Sequence, residues 1–166
     1  MKRPRSLFPA LALVLLLAAP ALAEDFSGRV VRILDGDTVE VLHGGAPERV
    51  RLAEIDCPEK AQAFGKKAKQ FTADLAASQE VLVHAKGKDR YGRTIGEIIL
   101  PDGRSLNREL VKAGLAWWYR QYSKDETLGA LENEARAAKR GLWADLDSAA
   151  PPVPPWEWRK ARRGKK

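Results

Sequence analysis

The chain has 166 residues, one cysteine and a formal charge of +7 at neutral pH. This length favours a single domain, and the lone cysteine excludes an internal disulfide or a thiolate metal cluster, so a hydrophobic core must hold the fold. The charge lies at the two ends: residues 1–23 carry +3 and residues 156–166 carry +5, which leaves −1 for the central part.

Residues 1–23 have the pattern of a secretory signal peptide. A basic start, KRPR, precedes the 13-residue apolar segment LFPALALVLLLAA, and PALA then provides the A-x-A spacing of a signal-peptidase site. The apolar segment is shorter than the roughly 20 residues that a transmembrane helix needs. The sequence therefore predicts an exported protein, periplasmic or extracellular, whose mature chain begins at Glu24.

Residues 28–56 have the alternation of short β-strands. RVVRIL, TVEVL and RVRLAEI are separated by Asp-Gly and Gly-Gly pairs, which favour hairpin turns. Asp37 has the same parity as Val39 and Val41, so an inward Asp37 would lie at the rim of a barrel. Asp35 and Asp37 are therefore open to two interpretations, a hairpin turn alone or a rim that binds an ion.

Residues 64–75 predict a helix, because their aromatic and apolar side chains recur at helical spacing. EVLVHAKG and TIGEIIL are two more strand candidates, joined through KDRYGR. The C-terminal half predicts two further helices, and Gly114 and Gly141 are placed to follow them.

These elements predict an α+β protein with a mainly β core, a small, partly open five-stranded Greek-key barrel with three helices. PPVPP at 151–155 is unsuited to a helix or a central strand, so the domain is predicted to span residues 24–149. Residues 150–166 are predicted to form a Pro-rich and then basic flexible tail. Such a tail either contacts nucleic acid or an anionic surface, or is simply solvated.

The segment RVRLAEIDCPE places an arginine and two acids at the end of a strand. Asp56 and Glu59, converging with Asp37, would form an all-oxygen site for a hard divalent cation, whereas either could instead cap the following helix. Arg51 and Asp56 are five residues apart and fall on opposite faces of a regular strand. Both can serve one site only if a bulge or bend intervenes.

The segment KDRYGRT places Arg93 directly after a Tyr-Gly turn. An arginine presents a planar fork of donors that suits a phosphate, and Arg93 opposite Arg51 would form a clamp. The alternative is a hairpin with solvated charges.

Taken in order, these motifs resemble the staphylococcal nuclease (thermonuclease) family. The resemblance implies an OB-fold and an exported Ca²⁺-dependent phosphodiesterase that hydrolyses DNA and RNA to products with 3′-phosphates. The similar segments are DGDTV at 35–39, RLAEIDCPE at 51–59 and DRYGR at 89–93, with further similarity at 64–68, 106–118 and 134–143.

The resemblance also implies which residues hold the metal. Asp37 and Asp56 would be the carboxylate ligands of Ca²⁺, and the backbone carbonyl of Cys57 would be a further ligand. Asp35 and Thr38 would belong to an outer shell. The family often has threonine where this chain has Cys57, and a carbonyl ligand should survive that change.

The same resemblance assigns the chemistry to three other side chains. Arg51 and Arg93 would grip the scissile phosphate, and Glu59 would activate or position the attacking water. Stacking on tyrosine contributes roughly 1–3 kcal/mol per base without sequence preference. The residues expected to contact nucleotides are Arg90, Tyr91, Tyr119 and Tyr122.

The expected partners are DNA and RNA, preferably single-stranded or as breathing duplex, and the chain is expected to be a monomer without a stable protein partner. An alternative is a non-catalytic nucleic-acid-binding OB-fold module, although such domains usually lack acids or arginines that this chain retains. A structural envelope protein would explain the tail but not the acids and arginines. Trp117 and Trp118 fit either a role near the nucleotide-contacting tyrosines or packing against the barrel.

Overall fold

The computed structural model describes residues 24–144 and 151–164. The predicted signal peptide, residues 1–23, lies outside the described residues. Among the helices that are described, none combines the length and the apolar character needed to cross a lipid bilayer.

Five strands form a closed barrel in which the neighbours follow the order β1-β2-β3-β6-β5. Only the β3–β6 pair of the barrel is parallel. A separate two-stranded pair, β4 with β7, lies beside it. The strands are β1 (Phe26–Asp35), β2 (Thr38–His43), β3 (Ala46–Leu52), β4 (Ile55–Asp56), β5 (Glu80–Lys88), β6 (Thr94–Ile99) and β7 (Trp117–Trp118).

The barrel closes because β1 serves two neighbours. Residues Phe26 to Arg29 pair with β5, and Arg29 to Asp35 pair with β2. Two register shifts within the β2 pairing bend the strand, as bulges do at barrel corners. The five-stranded OB-fold and the mixed α+β class are confirmed, and the barrel is closed rather than partly open.

Two apolar cores hold the molecule together. The barrel interior is filled by β-branched side chains such as Val39, Val50 and Ile98, which are fully buried. A second cluster brings together Trp117, Ala135, Leu142 and Trp143 outside the barrel. The alternating strand residues therefore fill the barrel, and the tryptophans fasten the C-terminal helices to it.

The three predicted helices are present, with conventional caps on two of them. Ser105 caps α2 by accepting a hydrogen bond from the Arg108 backbone, and Asp125 caps α3 in the same way from Thr127. Gly114, just beyond α2, has a φ of 68°. The helices are α1 (Gly65–Ala76), α2 (Leu106–Lys112) and α3 (Glu126–Ala137), and a 3-10 turn follows at Gly141–Trp143.

A fourth helix, α4 (Pro155–Arg163), replaces much of the flexible tail that the sequence predicts. Proline is excluded from helix interiors but favoured at the first helical position, which Pro155 occupies. The proline run therefore starts this helix instead of preventing it. The described part of the chain holds four α-helices where three are predicted.

Candidate active site

A cleft of about 940 Å³ opens at the rim of the barrel, where β1 turns into β2 and β3 leads into β4. It gathers residues from strands, turns and α4. All side chains that the sequence analysis assigned to the site line this cleft: Asp35, Asp37, Thr38, Arg51, Asp56, Cys57, Glu59, Arg90, Tyr91, Arg93, Tyr119 and Tyr122.

Arg51 connects two acids within the cleft. Its Nη1 lies 2.8 Å from Asp37 Oδ2, and its Nη2 lies 2.8 Å from Asp56 Oδ1. The chain turns at Glu54, whose φ of 66° is left-handed, between the end of β3 and β4. This turn is the bend that the sequence requires if Arg51 and Asp56 are to meet. Burial opposes the charge of Arg51, but the two carboxylates raise its pKa above the ordinary value.

Asp37 is fixed between two chain segments. Its Oδ2 accepts a 2.7 Å hydrogen bond from the backbone N–H of Cys57, and its Oδ1 accepts one of 3.2 Å from the Thr38 hydroxyl. Asp37 is only 7% exposed. Burial, followed by the charge of Asp37, raises the pKa of the Cys57 thiol well above its ordinary value. The thiol is therefore a protonated packing group, and Cys57 contacts Asp37 through its backbone N–H.

Glu59 lies in the loop between β4 and α1. Its backbone N–H donates to Gln62 Oε1 at 2.8 Å, and its carbonyl accepts from the Gln62 backbone at 2.7 Å. Neither Asp56 nor Glu59 caps α1, because the helix begins after Phe64 without a side-chain cap. The Glu59 carboxylate instead accepts a 2.8 Å hydrogen bond from Arg159 of α4.

The acids of the cleft influence one another's ionisation. Burial raises the pKa of Asp35, and the negative charge of Asp37 raises it further. Burial also raises the pKa of Asp56, against the stabilising bonds from Arg159 and Arg51. Burial thus opposes the ionisation of both acids, and a cation bound beside them would favour their charged forms.

Arg93 is held in the β5–β6 hairpin by Asp89. Its Nε and Nη2 each lie 2.7 Å from Asp89 Oδ2, while Asp89 Oδ1 accepts the backbone N–H groups of Tyr91 and Arg93. Burial opposes the ionisation of Asp89, but the bonds from Arg93 and Tyr91 lower its pKa below the ordinary value. The arginine is therefore pre-positioned on the cleft wall.

Exposed tyrosines stand at the mouth of the cleft. Tyr91 is 67% exposed, and the Arg90 guanidinium lies 4.8 Å from its ring centre. Tyr122 is 66% exposed and meets Tyr119 edge to face, with 4.7 Å between the ring centroids. Tyr91 and Tyr122 are therefore exposed to solvent, whereas Tyr119 is half-buried and its ring is stacked by Trp156 of α4.

The two tryptophans of β7 pack against the protein. Trp117 is 6% exposed and meets Trp143 edge to face at 4.5 Å. Trp118 is partly buried, and the Arg120 guanidinium lies 4.5 Å from its ring centre. Of the two interpretations, packing is therefore the one that the structure supports.

Comparisons with known proteins identify the family of this chain. The family model of staphylococcal nuclease homologues matches residues 49–145, more than half of the chain. Over 140 residues the chain is 49% identical to a protein of Escherichia coli named as an uncharacterized endonuclease, covering 84% of this chain and 89% of that protein. The chain belongs to the staphylococcal nuclease family.

Two further relatives extend the similarity over almost the whole chain. A micrococcal nuclease of Shigella flexneri is 46% identical over 164 residues, which cover 93% of this chain and 91% of the relative. A Haemophilus influenzae protein, also named as an uncharacterized endonuclease, is 40% identical over 158 residues, covering 95% and 86%. Our chain is therefore a nuclease with the domain of the staphylococcal nuclease family.

The acids of this nuclease fit a hard divalent cation. As the described residues stand, no group of three or more His, Cys, Asp or Glu side chains has the spacing of a metal site. The cations that Asp37 and Asp56 contact are guanidinium groups, and one of them, Arg51, contacts both acids. Asp37 and Asp56 thus lie around one guanidinium, and their carboxylate oxygens are ligands of the kind that suits a hard cation.

Arg159 is the site residue that sequence reasoning missed. Its Nη2 lies 2.8 Å from Asp56 Oδ2, and its Nη1 lies 3.2 Å from Asp56 Oδ1 and 2.8 Å from Glu59 Oε1. Burial opposes its charge, but these bonds raise its pKa. It lies beyond the residues that the family model matches. One arginine among the several basic residues of a tail carries no pattern that marks it.

Proposed function

We propose that this protein is an exported, Ca²⁺-dependent nuclease that hydrolyses DNA and RNA to products with 3′-phosphates. One observation carries the proposal: Arg51 bonds Asp37 and Asp56, and Glu59 shares Arg159 with Asp56, so three acids and two arginines converge in one cleft. Membership of the staphylococcal nuclease family supports it further. Single strands and breathing duplexes are the preferred substrates in this proposal.

Arg51 and Arg93 bind the scissile phosphate in this proposal. During in-line attack, negative charge develops on the equatorial oxygens of the phosphorus, and guanidinium groups offset that charge where it appears. Both arginines line one cleft and are already oriented by acids, Arg51 by Asp37 and Arg93 by Asp89. Removal of one such electrostatic donor typically reduces the rate by roughly 10²–10³.

Glu59 accepts a proton from the attacking water. The water oxygen bonds to phosphorus, the bond from phosphorus to the 5′ oxygen breaks, and the phosphate stays on the 3′ oxygen. The departing 5′ oxygen takes up a proton from solvent. A carboxylate base contributes on the order of 10²–10⁴ in rate. The Glu59 side chain is partly exposed at the cleft, as a group that meets a water molecule should be.

Asp37 and Asp56 would hold the Ca²⁺ ion, with the Cys57 carbonyl as a further ligand and Asp35 and Thr38 around them. Bound there, the ion would act as a Lewis acid that offsets charge on the phosphate. Asp37 and Asp56 are anchored before any ion arrives, because Arg51 and backbone groups fix their carboxylates.

The experiment compares cleavage of single-stranded DNA and RNA in Ca²⁺ and in EDTA, using wild type, Glu59→Gln and Glu109→Gln. We expect cleavage only with Ca²⁺, and a kcat that is lower by roughly 10²–10⁴ in Glu59→Gln. Glu109 is the matched control, because its partly buried carboxylate also pairs with an arginine, Arg104, but outside the cleft.

Three results would contradict the proposal. Cleavage that is equally fast in EDTA would refute the metal dependence. A wild-type rate in Glu59→Gln would refute the role of Glu59. Binding of nucleic acid without any cleavage would instead identify a non-catalytic OB-fold module.

A further inference from the structure

The helix α4 and the residues just before it contact the protein at and beside the active-site cleft in three places. The Trp156 indole stacks on Tyr119, with ring planes 6° apart and centroids 5.0 Å apart. The Arg159 guanidinium bonds Asp56 and Glu59. Upstream of the helix, the Val153 carbonyl accepts a 3.1 Å hydrogen bond from Gln62. We call residues 153–163 the C-terminal strap.

Arg159 bonds the carboxylate of Asp56, which would hold the metal ion in the proposed function. Both carboxylate oxygens of Asp56 accept hydrogen bonds from this one guanidinium, and Oδ1 also bonds Arg51. A divalent cation on Asp56 would meet a positive charge within hydrogen-bond distance of its own ligand. The two cations therefore compete for Asp56. The bond to Glu59 also engages the carboxylate that the proposed reaction requires as a base.

Trp156 occupies a surface suited to a nucleobase. A nearly parallel indole on a tyrosine is the arrangement in which a base stacks on an aromatic side chain. Trp156 also meets Trp117 in an edge-to-face contact, with 5.8 Å between the ring centroids. One helix thus places the cation of Arg159 on the acids and the aromatic ring of Trp156 on Tyr119. In the proposed complex, Ca²⁺ would be the cation at the acids, and a nucleobase would be the ring at the tyrosine.

Few contacts hold the strap in place. Of the nine residues of α4, only Pro155 is buried, and the Arg159 side chain is 33% exposed. A segment with few buried contacts opens at low free energy. Basic residues of α4 also line the cleft beside Arg159, so a polynucleotide that approaches would attract the strap away from the acids.

We infer that the C-terminal strap is an autoinhibitory element that closes the active site until Ca²⁺ and a nucleic-acid strand displace Arg159 and Trp156. This inference rests on the proposed nuclease function. With the strap closed, the protein is inactive at low Ca²⁺ concentrations. It becomes active at concentrations at which the ion competes with Arg159 for Asp56. Because of this competition, the apparent Kd for Ca²⁺ equals the intrinsic Kd divided by the fraction of molecules in which the strap is open.

The first experiment measures Ca²⁺ binding by calorimetry, without nucleic acid, for wild type, Arg159→Ala, Trp156→Ala and Arg162→Ala. If the strap is closed in roughly 90% of molecules, we expect an approximately tenfold lower Kd in Arg159→Ala and a lower Kd in Trp156→Ala as well. Trp156 contacts no carboxylate in the described structure, so its effect separates release of the strap from mere removal of a charge.

Arg162→Ala is the matched control. It removes the same charge from the same helix, but Arg162 packs on Trp158. Arg162 lines a neighbouring pocket beside Glu59 and has no hydrogen bond or ion pair with Asp56 or Glu59 in the described structure. We expect the wild-type Kd for this variant. If Arg162→Ala lowers the Kd for Ca²⁺ as much as Arg159→Ala does, the effect is due to net charge alone. That result would overturn the inference.

The second experiment follows amide hydrogen exchange of residues 155–163. If the strap is closed in roughly 90% of molecules, we expect its amides to exchange about tenfold more slowly than in an open segment without Ca²⁺, and to lose this protection at saturating Ca²⁺ plus a short single-stranded DNA. Unchanged amide protection would overturn the inference that the strap is autoinhibitory. A wild-type Kd for Ca²⁺ in both Arg159→Ala and Trp156→Ala would overturn it as well. Slower cleavage by Arg159→Ala at an unchanged Kd would identify Arg159 as a substrate contact and would also overturn it.

The two proposals can fail separately. If Ca²⁺ binds and releases the strap but no variant cleaves DNA or RNA, the proposed nuclease mechanism fails and the strap remains. If cleavage requires Ca²⁺ but the strap variants bind the ion like wild type, the inference of autoinhibition fails and the nuclease mechanism remains.

Discussion

Asp35 and Asp37 are adjacent acids with different environments. Asp37 bonds Arg51 and the Cys57 backbone, whereas the carboxylate of Asp35 accepts a 3.0 Å hydrogen bond from the Gly36 N–H. The sequence leaves open whether the Asp-Gly pair is a turn or an ion site. The two interpretations are compatible: Asp35 ends β1, and Asp37 is fixed in the cleft.

Gly36 has a different purpose from the one that a hairpin turn suggests. It is not among the glycines with positive φ. A Cβ at this position would lie 2.8 Å from Ala68 Cβ and 3.0 Å from Cys57 Cβ. The glycine is required because α1 and the loop after β4 approach it closely, which a dipeptide motif does not reveal.

Asp35→Asn should stabilise the metal-free protein at neutral pH. The pKa of Asp35 is raised in the folded state, chiefly by burial, so its ionised form disfavours folding. The stability that Asp35 contributes is present below its unfolded pKa of about 3.9 and is lost as the pH rises through the higher folded pKa. Asparagine keeps the acceptor for the Gly36 N–H without the charge.

Urea unfolding in EDTA at pH 7 and near pH 3.5 checks this prediction. The free energy of unfolding should exceed that of wild type at pH 7, and the difference should fade at the lower pH. A less stable variant at pH 7 would show that another interaction of the Asp35 carboxylate outweighs its burial and the repulsion from Asp37.

At the scale of elements, two turns bring the arginines to the cleft. The turn at Glu54 reverses the chain between β3 and β4, and the β5–β6 hairpin presents Arg93 next to Gly92, which has a φ of 77°. Both turns are rigid because acids bind the arginines within or beside them. The positions of Arg51 and Arg93 are thus properties of the strand ends and not of mobile loops.

Asp89→Ala tests the hairpin. We expect it to lower the free energy of unfolding by about 1–3 kcal/mol, since a partly buried acid that accepts hydrogen bonds from a charged partner is lost. It should also lower kcat/KM by roughly 10–100-fold, because Arg93 is no longer held in position. Urea unfolding and cleavage kinetics measure the two effects.

Asp102→Ala is the control for Asp89. Asp102 also accepts hydrogen bonds from the backbone and the side chain of an arginine, Arg104, in a tight turn, but this turn lies outside the cleft. It should leave kcat/KM at the wild-type value. An equal loss of activity in both variants would contradict a specific role for the Asp89–Arg93 pair.

At the scale of the whole molecule, the second core joins the barrel to its C-terminal additions. Trp117 of β7 meets both Trp143 and Trp156, so the 3-10 turn and α4 pack on the same ring. Trp143 is fully buried, and the Arg136 guanidinium lies 3.7 Å from its ring centre. Its Nε1 has no hydrogen-bond partner within the described residues.

Trp143→Ala should lower the free energy of unfolding by about 3–5 kcal/mol, because it leaves a large cavity between β7 and α3. Trp143→Phe should be much less harmful, since it keeps an aromatic ring and removes the buried N–H that lacks a partner. Urea unfolding compares the two variants. An equally large loss in Trp143→Phe would mean that the indole N–H is satisfied in solution.

The sequence by itself determined the barrel strands, three helices and the acids and arginines of the cleft. The strands and helices follow from local patterns, because alternation sets the buried face of each strand and glycine and proline set the turns. The acids and arginines follow instead from the order of motifs that resembles the staphylococcal nuclease family. The required bend between Arg51 and Asp56 could be predicted because strand parity is a local property.

Only the tertiary structure decided which distant segments meet. Arg159 bonds Asp56 and Glu59 across about a hundred residues of sequence, and Gly36 is needed for the packing of α1. The predicted flexible tail is a helix on the active site for the same reason. The binding of an exposed basic segment depends on the charge and aromatic rings of the surface that it meets, and that surface exists only once the barrel has folded.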